Sequence, residues 1–280
     1  MPGKASSVRS MGDRSSEADL TAAIDYVAAN GSDLERARLA VMTHRAPPDE
    51  KMINLAGRDQ RADGGFPAPW SAGESSLDET CYRMSQIADF GAAAAALMNR
   101  SLGFLVSHQH PDGTFEEDVR ASAAVPPWAR PGDAAALLYV TANCAYTIFD
   151  ALCHQTPAEP QRLRRAVTRA GTHLASRIGR DGRLPSFLHT HWLAGPVLRA
   201  AGFDAAADGL SWALAFRLSG LGPSALAWLT TTIPEEPVAA EARHRLAELQ
   251  EPDGGWRSED GELHDVATTL TAIRVLSADR

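Results

Sequence analysis

The sequence predicts an all-α fold, and three observations carry that expectation. Apolar residues recur at helical spacing in segment after segment, and no segment alternates with period two over strand length. Alanine, the best helix former, dominates many of the apolar faces. A seven-residue box, Gln-x-x-Asp-Gly-(Gly/Thr)-aromatic, occurs three times, as Gln60-Arg61-Ala62-Asp63-Gly64-Gly65-Phe66, Gln109-His110-Pro111-Asp112-Gly113-Thr114-Phe115 and Gln250-Glu251-Pro252-Asp253-Gly254-Gly255-Trp256. Each box joins one helical pattern to the next, so the repeating unit is helix, Asp-Gly turn, helix. Repeats that cannot bury their own apolar face must stack or close on one another.

In chain order the periodicity predicts helices over 20–29, 34–42, 81–88, 90–106, 134–152, 163–174, 187–200, 205–218, 225–229, 238–249 and 266–276. Gly31, Gly179, Gly202 and Gly220 follow helical runs where a C-terminal cap belongs. Pro131, Pro160 and Pro223 stand at or near helix starts, and Ser76-Leu77-Asp78-Glu79 reads as a capping box with Ser76 as N-cap. A degenerate fourth box, Gly179-Arg180-Asp181-Gly182-Arg183-Leu184, keeps the Asp-Gly turn and loses the Gln and the aromatic. In every box Gly permits a tight turn, Gln and Asp can bond exposed backbone, and the aromatic plugs the next hairpin.

With 280 residues and 44% hydrophobic content the chain can bury a large core. Residues 1–16 are polar and read as a disordered leader without the apolar stretch of a signal peptide; 17–280 reads as a single domain. No uninterrupted apolar run reaches transmembrane length, and the expected location is the cytoplasm. A net charge of −8 with no Lys/Arg block excludes a nucleic-acid binder. Three widely spaced cysteines give neither a disulfide framework nor a paired-thiolate zinc module and suit a reducing compartment.

The boxes resemble the QW repeats of the prenyltransferase and squalene-oxidase repeat superfamily, which contains the squalene-hopene and oxidosqualene cyclases, class II diterpene cyclases and the β-subunits of protein prenyltransferases. The resemblance covers most of the chain. It implies an (α/α)6 toroid, a lone β-type domain over 17–280 with inner helices around a central cavity and outer helices around them. It also implies a small, apolar isoprenoid or polyene as substrate, with acid-initiated cyclisation or isomerisation as the reaction.

Class II cyclases of this superfamily carry an Asp-x-Asp-Asp-Thr motif whose middle Asp protonates an alkene or epoxide. Here the motif falls on Ser76-Leu77-Asp78-Glu79-Thr80. Asp78 takes the protonating position, Glu79 the last acid, and Ser76 replaces the first. A carboxylic acid that protonates carbon must keep its proton, which burial and a like-charged neighbour provide. The competing reading of Asp78 and Glu79 is two first-turn acids, each worth roughly 0.3 to 1 kcal/mol on exposed amides. His191, in His189-Thr190-His191-Trp192, is a candidate to orient or relay a proton to Asp78, or a histidine at a helix end.

Aromatic faces shield a developing cation by about 0.5 to 2 kcal/mol each. The candidates are Tyr82, Tyr139, Tyr146, Phe149, Trp192 and Trp228, each of which could equally be core. A content of 6% aromatic favours a short substrate or a different reaction. Asn143 is a polar residue within an apolar helix and Asp265 opens the helix after box three, so both join the expected substrate-contacting set. No cofactor is expected, and two metal alternatives stay open. Zinc would need Asp78, Cys81 and His264 or His191, against Cys81 and Cys144 as small core residues. Magnesium would need Glu116-Glu117-Asp118, against a solvated loop. Neither a phosphate-cradling Gly-rich loop nor a nucleophile elbow occurs, and Asp133 and Asp265 are the sole candidates for a second acid of the sugar-processing kind. The Pro-rich segment 118–132 is either a cover for the cavity or a surface loop. A non-catalytic toroid that holds a prenyl or polyketide-like ligand is the alternative function, and a zinc-dependent prenyltransferase a third.

Overall fold

A computed structural model of the chain describes residues 18–71, 73–118 and 125–277, so the leader expected over 1–16 lies outside the described residues. The odd-numbered α-helices are α1 (Leu20–Asn30), α3 (Glu50–Ala56), α5 (Ala95–Ser107), α7 (Pro160–Arg177), α9 (Asp204–Ala215) and α11 (Pro237–Glu248). The even-numbered ones are α2 (Asp33–Met42), α4 (Leu77–Ile87), α6 (Ala134–His154), α8 (Leu188–Ala200), α10 (Pro223–Thr232) and α12 (Asp265–Ser277). Beside them stands one short antiparallel pair, β1 (Phe66–Pro67) and β2 (Ser75–Ser76), in register Phe66 with Ser76.

The even helices pack in succession, α4 on α6, α6 on α8, α8 on α10, α10 on α12 and α12 on α2, while α5 meets α7 and α9 meets α11. The burial pattern agrees with this sorting. α8 buries Thr190 through Gly195 and so is covered on every side, whereas α7 buries a single stripe through Leu163, Ala166, Val167, Ala170 and Leu174. One continuous cluster of buried apolar residues runs from α1 to α12.

The boxes explain how the hairpins are fastened. Gly64, Gly113, Gly182 and Gly254 have φ of 93°, 93°, 74° and 89°, a left-handed conformation that costs glycine nothing. In each turn the Asp side chain accepts from the amide two residues on: Asp63 from Gly65 at 2.9 Å, Asp112 from Thr114 at 3.1 Å, Asp181 from Arg183 at 3.2 Å and Asp253 from Gly255 at 3.1 Å. The fourth copy is therefore a true box, with Leu184 buried where the others place an aromatic.

Gln, when present, reaches the following odd helix. Gln60 donates to the carbonyl of Leu97 at 3.0 Å, Gln109 to that of Ala166 at 2.9 Å, and Gln250 to that of Asp19, before α1, at 2.8 Å. The last hairpin is thus bonded to the first helix in the way that internal hairpins are bonded to their successors. Inward, the amide of the aromatic donates to a threonine of the next even helix: Phe66 to Thr80 at 2.9 Å, Phe115 to Thr141 at 3.0 Å and Trp256 to Thr269 at 3.0 Å.

The structure corrects several sequence expectations. Helix α3 was not anticipated, because seven residues after Pro47-Pro48 carry too little periodicity; Asp49 caps it by accepting from the Met52 amide at 2.8 Å. The helix expected over 90–106 begins only at Ala95, since Gly91 at φ 55° kinks the chain inside a 3-10 stretch. Of the glycines expected to end helices, Gly202 is left-handed at φ 85°, while Gly31 stays at φ −72°. By length and composition alone Leu77–Ser107 and Ala134–His154 could cross a membrane, but 50% and 61% of their most apolar windows lie buried within the fold.

Candidate active site

The start of α4 is held from three directions. Box one draws it in through Thr80, and Ser76 caps it by accepting from the Glu79 amide at 3.1 Å. Only this half of the expected capping box forms, because Glu79 does not return to the Ser76 amide; the complete box is at Ser32 and Glu35, which opens α2. The third support is Glu117, in the loop after box two. Its carboxylate accepts from the Ser76 hydroxyl at 2.8 Å, the Leu77 amide at 3.1 Å and the Asp78 amide at 2.8 Å.

Asp78 sits at this junction. Its Oδ1 accepts from Tyr139 Oη at 3.1 Å and Asn143 Nδ2 at 2.9 Å, both on α6, and its Oδ2 accepts from Trp128 Nε1 at 3.0 Å. Residues 139 and 143 lie one helical turn apart and so share a face of α6. Asp78 keeps some solvent exposure although protein surrounds most of it. Burial raises its pKa, and the hydrogen bonds from Trp128, Tyr139 and Asn143 only partly oppose the rise. All three donors are neutral. Of the four lone-pair positions on the carboxyl, three are filled by these donors, and the free one on Oδ2 is where a carboxylic proton would sit.

The neighbouring acids are also perturbed. Burial lifts Glu79 to about 7, against the pull of Arg83 and with a push from Asp78. Burial likewise lifts Glu117 to about 7, opposed by its three hydrogen bonds and reinforced by Asp78. Burial and the Asp78 carboxyl push the Tyr139 hydroxyl well above the ordinary tyrosine value, so it remains a donor. Beneath this layer the sulfurs of Cys81 and Cys144 meet at 3.8 Å, tying α4 to α6 as small buried residues.

The structure thus gathers Asp78, Tyr139 and Asn143, with Glu79 beside them, and adds Trp128 and Glu117. Trp128 comes from the Pro-rich segment expected to be a cover or a passive loop, of which residues 119–124 lie outside the described ones. Other expected residues lie elsewhere. His191 is buried against the carbonyls of Phe187 and Leu188, burial lowers its pKa, and no bond joins it to Asp78. Trp192 is 0% exposed, packed edge-on against Trp228 at 5.8 Å and His189 at 4.8 Å, so it presents no face to a ligand.

Tyr146, half-buried on the same helix as Asn143, is raised by burial and neighbours Thr232, Asp150 and Arg274. Phe149 is half-buried against the core. Tyr82, one turn beyond Asp78 on α4, is 43% exposed, and burial of the rest raises its pKa. Asp265 fixes the loop before α12 by accepting from the Ser258 amide at 2.7 Å and pairing with Arg257 at 3.4 Å. Asp133 is the N-cap of α6.

The metal alternatives find no geometric support. Cys81 faces Cys144, His264 is exposed in the turn before α12, and no three His, Cys, Asp or Glu side chains converge among the described residues. Within the run Glu116-Glu117-Asp118 the first two side chains diverge, Glu116 accepting from the Gly132 amide at 2.7 Å while Glu117 caps α4, so these two are not merely solvated. An open groove lined by Asp33, Glu50, Lys51, Asn54, Leu55 and Arg58 includes none of these residues.

No known family profile and no curated protein sequence matches the chain. Solved structures do. The chain superposes on the type II terpene cyclase MstE from Scytonema, in complex with its substrate geranylgeranyl dihydroxybenzoate, with TM-score 0.60 at 16% identity, covering 92% of this chain and 95% of that one. The apo form of MstE gives TM-score 0.58 at 17% identity, covering 92% and 96%. A protein from Actinoplanes gives TM-score 0.56 at 15% identity, covering 92% and 97%. The chain has the type II terpene cyclase fold. At these identities the likeness speaks for the fold alone, and the chemistry must be argued from the residues around Asp78.

Proposed function

We propose that the chain is a terpene-cyclase-like enzyme, a closed (α/α)6 toroid in which Asp78 protonates an isoprenoid or related polyene bound in an apolar central cavity. The observation that carries this reading is the set of neutral donors around Asp78. An indole, a phenol and an amide orient both carboxyl oxygens without supplying the positive charge that would draw the proton off, while burial disfavours the anion.

In the proposed reaction the Oδ2 proton of Asp78 adds to a terminal alkene carbon. The resulting cation is attacked by the next double bond, closing a ring, and a proton is finally lost from carbon, so the product is an isomer of the substrate. Tyr139, whose ring meets Phe187 edge-on at 6.1 Å, and Trp128 supply π-faces near the starting cation. MstE is described with a prenylated aromatic substrate and with the product merosterolic acid A, which makes geranylgeranyl dihydroxybenzoate the first substrate to try here.

The test is incubation of the purified protein with geranylgeranyl dihydroxybenzoate and with free polyprenols, followed by mass spectrometry. An isomer of unchanged mass is expected, absent from the Asp78→Asn variant. Undiminished turnover by Asp78→Asn would remove Asp78 as the acid. Binding without conversion by the unaltered protein would leave a toroid that holds a prenyl ligand.

A further inference from the structure

We propose that Glu117 is a positioning residue for Asp78, a carboxylate anion built into the start of α4 that fixes the acid's backbone and keeps its proton in place. It does from another element what the acid missing at position 76 would do from α4 itself. The inference rests on Asp78 being the acid.

Donor bookkeeping assigns the charge. The Ser76 hydroxyl oxygen accepts from the Glu79 amide at 3.1 Å, so its own hydrogen is free to point at Glu117 Oε1, 2.8 Å away. The other two partners, the Leu77 and Asp78 amides at 3.1 and 2.8 Å, can only donate. Two of its three donors are backbone amides at the start of α4, which favour negative charge there, whereas the Asp78 side chain accepts from side-chain donors only.

Among the described residues no cation is bonded to that charge. Facing the pair are Glu79 and Cys81 from α4, Tyr139 and Cys144 from α6, and Glu116, whose carboxylate is spent on the Gly132 amide. Arg83 turns toward Glu79 and the Ala56 carbonyl, and among the described residues no Lys, Arg or His side chain bonds either carboxyl. A negative charge bonded to the amide of Asp78 disfavours a second one on its side chain. The two carboxyls titrate as a pair, and the donors around Glu117 direct the proton to Asp78. The sequence separation of 39 residues hides the pair, which exists because box two returns the chain to α4.

The experiment follows the proton directly. The carbonyl stretch of protonated Asp78, identified by its loss in Asp78→Asn, is recorded by infrared spectroscopy while pH is raised. In Glu117→Gln the midpoint of deprotonation is expected to fall by about one pH unit or more. In the double variant Ser76→Asp with Glu117→Gln, which moves the carboxylate back onto α4, it is expected to return. An unmoved midpoint in Glu117→Gln overturns the proposal. Should Glu117→Gln not fold, Ser76→Ala removes the hydroxyl contact to Glu117 together with the Glu79 cap, and a smaller shift in the same direction is expected; no shift overturns the proposal. A midpoint that moves in a protein converting no polyene upholds the pairing and counts against the enzymatic reading. Conversion with an unmoved midpoint does the reverse.

Discussion

Asp78 stands in the first turn of α4 and Asp89 two residues beyond its last, eleven positions on, and both are largely withdrawn from water. Their surroundings differ completely. Asp78 is met by an indole, a phenol and an amide, and burial raises its pKa. Asp89, with 4% of its side chain exposed, is clasped by Arg38 from α2 at 2.6 Å and by Arg274 from α12. Neutral donors orient a carboxyl and leave it its proton, whereas guanidinium groups turn the same side chain into an anionic clamp. The role of a buried aspartate is set by the charge of its donors, more than by its burial or its place on a helix.

Exchanging the amide for the acid at each position tests that contrast. Asp78→Asn should lower turnover about a thousandfold, the usual size of a general acid's contribution, with little change in melting temperature. Asp89→Asn should do the opposite. It leaves two guanidiniums without their counter-charge, costing about 3 to 5 kcal/mol of stability, read as a fall in the denaturation midpoint, while any loss of turnover follows the unfolded fraction. If Asp89→Asn were as stable as the parent chain, the clamp would be dismissed.

The pH dependence is the next largest effect. Glu79 sits at about 7 in the folded chain against an ordinary 4.5, so it favours the fold fully below pH 4.5, and that contribution is lost as pH rises through 7. Tm should fall by about 5 °C across that window, and Glu79→Gln should flatten the curve. Turnover should be lost as pH rises through the raised pKa of Asp78, because only its protonated form donates. Removing single donors sharpens the picture at smaller scale. Tyr139→Phe should reduce turnover about tenfold by freeing one lone pair of Asp78, with stability lowered by roughly 1 kcal/mol. Gln109→Ala, whose bonds run to its own box and to α7, should cost about 1 kcal/mol in unfolding free energy and leave the pH profile of turnover unchanged.

Much of this was legible in the residues. The boxes located their own turns because Asp-Gly chemistry is local, and the long helices announced themselves by period. Asp78 could be singled out because the motif is contiguous and Thr80 marks its register. Tyr139 and Asn143 followed from their place on an apolar helix. What escaped depends on contacts between distant segments. Glu117 hid in a run of three acids that reads as solvated, and Trp128 in a Pro-rich insertion without periodicity. His191 and Trp192 stand apart from the Asp78 cluster for a related reason: they lie on a helix covered on every side, and sequence cannot say what each of its faces meets.

The bond from Trp128 to Asp78 also gives the site an optical handle. An indole that is 43% exposed and bonded to a carboxyl has an emission that responds both to water and to the charge beside it. The difference in fluorescence between the parent chain and Trp128→Phe therefore isolates one tryptophan of six. Arrival of an apolar molecule or departure of the Asp78 proton can then be followed in real time without attaching a dye.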